Sequence, residues 1–142
     1  MIYLEKPSDF NPKFEIVSCF VEFSGEIVLL LRQDHKPEGN TWGVSAGKLE
    51  EKDLTQAVLR EIREETGLVI EPQKISYFQA VYVRYPTYDF VYHIFHTQLE
   101  KRPQIKINPQ EHKEYRLVHP QVALTMPLIQ DLDACIKLFY KI

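Results

Sequence analysis

The chain has 142 residues, 44% of them apolar and 26% charged, an ordinary balance for a globular protein and enough length to bury a core as one domain over residues 1–142. Its formal net charge of −3 argues against nucleic acid as a partner, because counterion release needs a basic surface. No apolar run approaches the roughly 20 residues that cross a bilayer, so a membrane is not expected either.

The first residues, "MIYLEKPSDF", lack the basic start and apolar stretch of a secretory signal. Cys19 and Cys135 form no CxxC pair and sit in apolar surroundings, which reads as two inert core thiols and leaves cytoplasmic residence as the default. "KFEIVSCFVEF" (13–23) is rich in β-branched and aromatic residues and predicts a strand. A short "SGE" turn leads to "IVLLLR" (27–32), an apolar run suited to a strand covered on both faces. "QDHKPEGNT" is a loop by its Pro, Gly and Asn, and "WGVSAGK" is a short strand entering a glycine turn.

A helix is expected from about Leu54 to Thr66, capped by Asp53 and closed by Gly67, with Gln56 where a capping box wants Glu or Gln. Two aromatic strands follow, 74–85 and 88–99, joined by "PT". "RPQIKINPQEHK" is a polar loop and "EYRLVH" a short strand. A last helix opens at "TMP", with Pro127 in its first turn and Leu128, Ile129, Leu132, Ile136 and Phe139 at helical spacing. The order β-β-β-α-β-β-β-α implies a mixed sheet with helices packed against it.

The helix 54–66 carries Glu61, Glu64 and Glu65. Carboxylates on a helix are usually a solvated face paired to Lys or Arg. At about 100° per residue from Leu54, Ala57 falls at roughly 300° and Val58 at roughly 40°, with Glu61 at roughly 340°, Glu64 at roughly 280° and Glu65 at roughly 20°. The acids therefore continue the apolar stripe, while Arg60 and Arg63, at roughly 240° and 180°, point elsewhere. Inward carboxylates repel one another and lose hydration unless a cation sits among them. Mg²⁺ or Mn²⁺ prefers oxygen ligands and bridges to phosphate, and no Cys/His cluster offers zinc a site.

"GKLEEKDLTQAVLREIREETGL" resembles the Nudix box, written Gx5Ex7REUxEExGU with U apolar. Arg60, Glu61, Ile62, Glu64, Glu65, Gly67 and Leu68 match its second half throughout. The first half departs from the pattern. Counted back from Arg60, the first Glu falls on Lys52 and the Gly on Ala46; counted forward from Gly47, the first Glu falls on Asp53, leaving six residues rather than seven before Arg60.

The resemblance, which covers essentially the whole chain, implies an α/β (α+β) Nudix-type α/β/α sandwich with a mixed β-sheet. It also implies hydrolysis of a diphosphate linkage by metal-activated water. It makes Glu61 and Glu65 the chief metal ligands, Glu64 a ligand or the base, the Ala46 carbonyl a further ligand, and Asp53–Arg60 a shortened brace of the loop. A late Glu serves many members as base or ligand, and Glu111, then Glu114, is the candidate.

Arg32 ends a strand where it either holds phosphate or nucleobase or snorkels; Lys48 either meets phosphate or is a surface lysine. Trp42 either stacks on a base or belongs to the core, and one of Tyr82, Tyr85, Tyr88 and Tyr92 lines the pocket. His93 and His96 are given no chemistry. The expected substrate is a small nucleotide, most simply a nucleoside triphosphate, with ADP-ribose or a sugar nucleotide next, and many relatives of such a protein form homodimers. The rival is a nucleotide-binding or regulatory module that kept the fold without turnover.

Overall fold

The computed structural model describes residues 1–142. β1 (Ile2–Tyr3), β2 (Pro12–Phe23), β3 (Glu26–Arg32), β4 (Trp42–Gly43) and β5 (Ser45–Lys48) precede α1 (Leu54–Thr66). After a 3₁₀ turn at Pro72–Lys74 come β6 (Ile75–Arg84), β7 (Asp89–Leu99), β8 (His112–Val118), α2 (Pro120–Ala123) and α3 (Leu132–Tyr140). The sheet runs β1-β6-β7-β2-β3-β4, with β5 also on β2 and β8 also on β3. β2 and β7 are parallel while the other pairs are antiparallel, so the sheet is mixed as expected.

Ser24 (φ 51°) and Gly25 (φ 81°) form the two-residue turn between β2 and β3. Positive φ at both positions gives the turn the twist of the flanking strands. β2 and β3 then diverge: β2 pairs with β5 over Ile16–Cys19, and β3 with β8 over Ile27–Arg32. "WGVSAGK" is thus two strands rather than one. Trp42–Gly43 pairs with β3, and past Val44 the chain crosses to β2.

Each face of the sheet carries a helix. Val17, Cys19, Val21, Val28 and Leu30 pack against Ala57, Val58 and Ile62 of α1. Phe20, Ile27, Leu29, Val81 and Ile94 pack against Leu132, Cys135 and Ile136 of α3. The run 27–31 is apolar throughout because both of its faces are covered, and the layers form an α/β/α sandwich. No helix is long and apolar enough to cross a membrane.

α1 has the expected bounds. Asp53 accepts from the Thr55 and Gln56 amides at 2.8 and 3.2 Å, and Gly67 closes the helix at φ 76° with its N–H on the Arg63 carbonyl. The last helix differs. It starts at Leu132, not near Pro127, because residues 127–129 are stitched to β4: the Trp42 amide donates to the Pro127 carbonyl at 2.8 Å and the Ile129 amide to the Trp42 carbonyl at 2.9 Å. Those backbone groups are unavailable to a helix. β8 begins at His112 rather than Glu114, and β1 and α2 are too short to leave a periodic signal.

Candidate functional site

β5 leads into the turn before α1, and the two are in close contact. Glu61 and Glu65 are each 9% exposed, beside the apolar residues of the same helix face. Glu65 Oε1 accepts from the Ala46 N–H at 2.8 Å. An added Cβ at Gly47 would lie 2.1 to 2.3 Å from the carboxylate atoms of Glu61, so glycine at this position is what lets that carboxylate approach the turn. Glu64 is not turned inward: its side chain is 51% exposed. At the edge of the stripe, it reaches solvent and pairs with Arg60 at 3.1 Å.

Arg60 is the hub of an ion-pair network. Its Nε meets Glu51 Oε2 at 2.7 Å, and Nη2 meets Glu51 Oε1 at 3.1 Å. Its Nη1 bridges Glu61 and Glu64 at 3.0 and 3.1 Å. The expected Asp53–Arg60 brace is therefore wrong. Asp53 is committed to the helix cap, and the longer Glu51, two residues earlier in the loop, takes Arg60 in a bidentate grip.

Burial pushes Glu61 up to about 7, against the pull of the Arg60 guanidinium, with the Glu64 and Glu50 charges adding to the rise. Burial also raises Glu65 well above the usual carboxylate range; the Ala46 amide opposes this, and the charges of Glu61 and Glu111 reinforce it. Two buried carboxylates so placed, only one of them facing a guanidinium, are hard oxygen donors, and that donor set suits Mg²⁺ or Mn²⁺. No three acidic, histidine or cysteine side chains are grouped so as to hold a metal ion as they stand. Arg60 spans Glu61 and Glu64, while the Ala46 amide holds Glu65.

Glu65, Ala46 and Gly47 line a cavity of about 460 Å³. Its polar lining includes Arg32, Lys48, Glu111, His112, Gln130 and Asp131; its apolar lining includes Tyr85, Phe90, Tyr92, Ile129 and Leu132. Arg32 is held by its Nε on the Pro37 carbonyl at 2.8 Å, and the Lys48 ammonium stands 4.6 Å from the centre of the Phe14 ring. Glu111 pairs with Lys36 at 3.0 Å. Glu114 points to Arg116 instead, at 3.1 Å, and does not line the cavity.

Trp42 is not a stacking platform for substrate. It is 5% exposed, belongs to the core cluster and carries Arg116 over its ring at 5.1 Å. Of the four tyrosines, Tyr85 and Tyr92 line the cavity; Tyr82 packs on Phe10 and Tyr88 on Phe14. His93 bonds Glu15 at 2.6 Å and His96 bonds Glu22 at 3.0 Å, both away from the cavity.

His112, Gln130 and Asp131 did not emerge from the sequence. His112 stood in what reads as a polar loop, and Gln130 and Asp131 inside what reads as a helix. Cys19 and Cys135 are buried free thiols, both shifted upward by burial, Cys135 to about 12.

The family model for the NUDIX domain matches residues 13–139. A comparison with curated protein sequences finds no match. Among solved structures, the MutT protein from Methanosarcina mazei Go1 is 23% identical with a TM-score of 0.77, over 98% of this chain and 97% of that one. The NUDIX domain of Shewanella oneidensis NrtR, complexed with ADP ribose, is 21% identical with a TM-score of 0.76, over 97% and 93%. A bifunctional NMN adenylyltransferase/ADP ribose pyrophosphatase from Francisella tularensis, complexed with AMP and a Mn ion, is 20% identical with a TM-score of 0.72, over 94% of this chain and 43% of that one.

Proposed function

The chain belongs to the Nudix family, and from that premise we propose that it is a Mg²⁺- or Mn²⁺-dependent pyrophosphohydrolase acting in the cytoplasm on a nucleoside diphosphate linked to X, its 142 residues working as one domain. The observation that carries this reading is the cavity itself. Buried acid from α1, the cations Arg32 and Lys48, and the aromatic rings of Tyr85, Phe90 and Tyr92 share one wall system. A volume of about 460 Å³ lies in the range of small-molecule sites and suits one nucleotide. A nucleoside triphosphate or a similar small nucleotide is the substrate class this favours.

Glu61 and Glu65, with Glu64 and the carbonyl of Ala46, are the groups that would hold the metal. When bound, the ion supplies charge neutralisation on the phosphates and a more acidic water. Glu111 takes the proton of the attacking water on its carboxylate, which requires it to leave Lys36. Glu64, exposed and next to the same ligands, is the second candidate for that role. Arg32 and Lys48 bind the phosphate chain, and the aromatic lining takes the base.

ADP-ribose or a sugar nucleotide is the second reading. It is favoured by the ADP ribose carried by the NrtR domain and by the ADP ribose pyrophosphatase activity named for the Francisella protein. The test is hydrolysis of nucleoside triphosphates, ADP-ribose, NADH and diadenosine polyphosphates with Mg²⁺ or Mn²⁺. Glu65→Gln should abolish turnover, and Glu111→Gln should lower it by about 10²-fold or more. Tight binding of a panel member without turnover would replace the hydrolase by a nucleotide-binding module.

A further inference from the structure

We propose that His112 is a substrate-binding residue that grips an oxygen of the phosphate chain together with Arg32. The inference rests on the reading of the cavity as the seat of a diphosphate. Arg32 and His112 are direct cross-strand partners of β3 and β8, and a register shift between Leu31 and Arg32 sets this last pair apart from the regular ladder. Both line the cavity.

His112 is 3% exposed, and its Nδ1 is buried without a hydrogen-bond partner. Buried polar side-chain atoms nearly always have a partner, and those that lack one call for a reason. The other unpaired buried atom, Ser45 Oγ, belongs to a residue outside the cavity lining. The backbone around His112 is fixed. Its amide donates to the Asn108 carbonyl at 2.9 Å, and the Gln33 amide donates to the Glu111 carbonyl at 3.0 Å. The backbone is thus pinned at the cavity wall, and the ring's Nδ1 is left without a partner.

Burial, with the Arg32 charge second, pushes the imidazole down to about 4, so it is neutral and offers one N–H donor and one acceptor. Arg32 is positioned through its Nε, which leaves the end of its guanidinium fork for the same anion. An N–H of the neutral ring and the Arg32 fork make two prongs of different chemistry.

The test uses the full chain, Mg²⁺ and inorganic pyrophosphate, which isolates the phosphate contact from any base. Wild type, His112→Phe and His112→Asn are compared by calorimetry and by thermal melting. His112→Phe should weaken pyrophosphate binding about tenfold, the size of one lost hydrogen bond. Its melting temperature should equal or exceed that of wild type, because an unsatisfied buried nitrogen is gone. His112→Asn, which keeps a polar group near the Nδ1 position, should recover most of the affinity.

With a substrate that turns over, KM should rise in His112→Phe while kcat holds. Affinity within twofold of wild type in His112→Phe overturns the proposal while leaving the phosphate cavity intact. So does a large fall in melting temperature that His112→Asn does not rescue, since that marks a structural histidine. Failure of the wild type to bind pyrophosphate overturns the phosphate cavity and this proposal together.

Discussion

Gly47→Ala is the sharpest probe of the α1 carboxylates. The new methyl would sit 2.1 Å from Glu61 Cδ and 2.2 and 2.3 Å from its two oxygens. Ordinary contact needs about 3.5 Å, so the carboxylate must retreat by about 1.4 Å. It is the mobile end of a flexible side chain, and Gly47 does not use a positive φ. The fold should therefore absorb the change. The loss of Glu61's present seat is offset in part by the roughly 0.4–1 kcal/mol that alanine contributes by restricting the unfolded chain, for a net change within about 1 kcal/mol.

Activity is a different matter, because a displacement of about 1 Å in a catalytic group can cost about 10²-fold. Urea unfolding and steady-state hydrolysis with Mg²⁺ on the best panel substrate measure both effects. The double variant Gly47→Ala/Glu61→Gln should be no slower than Glu61→Gln alone, since both act through one carboxylate. Wild-type kcat/KM in Gly47→Ala would refute the placement of Glu61 against this turn as a requirement of the site.

The pH dependence of stability has a definite sign. Folded Glu61 keeps its proton up to about 7, whereas the unfolded chain releases it near 4.5, so raising the pH between those values favours the unfolded state. Metal-free protein should lose up to about 3 kcal/mol across that window in urea titrations; Glu61→Gln should flatten the slope, and Mg²⁺ should stabilise more at pH 8 than at pH 5. Asp53→Ala should cost about 1 kcal/mol of stability through the lost cap and leave turnover close to wild type. Glu51→Gln should do the reverse, raising the Mg²⁺ requirement on the order of tenfold as the released Arg60 competes for Glu61 and Glu64; equal effects from the two variants would return Asp53 to the role of brace. Cys19 and Cys135 should resist a thiol reagent until the protein unfolds, as monitored by absorbance, because burial keeps both thiols protonated.

Much of this protein is written in local pattern. The bounds of α1 follow from Asp53, Gly67 and a 3.6-residue stripe, and the long strands from alternating or wholly apolar runs. The REIREETGL segment was legible because its chemistry lies within three turns of one helix, where spacing fixes geometry. Even there the wheel did not separate Glu64, at the edge of the stripe, from its buried neighbours. Contacts between distant segments were beyond the sequence. Residues 127–129 have a helical pattern, yet their backbone bonds go to Trp42. Asp53 and Glu51 are both acids ahead of Arg60, and the competition of the helix cap for Asp53 decides which of them pairs with it.

The cavity joins β2, β3, β4, β5, α1, β6, β7, β8 and α3, with lining residues from Ile16 to Cys135. Pairing of β8 with β3 is what puts His112 and Glu111 near Arg32 and Glu65, because cross-strand register, unlike helical spacing, is set by the packing of the whole sheet. The sequence by itself determined which side chains are available for the chemistry on α1, and the tertiary structure alone decided which distant groups face them.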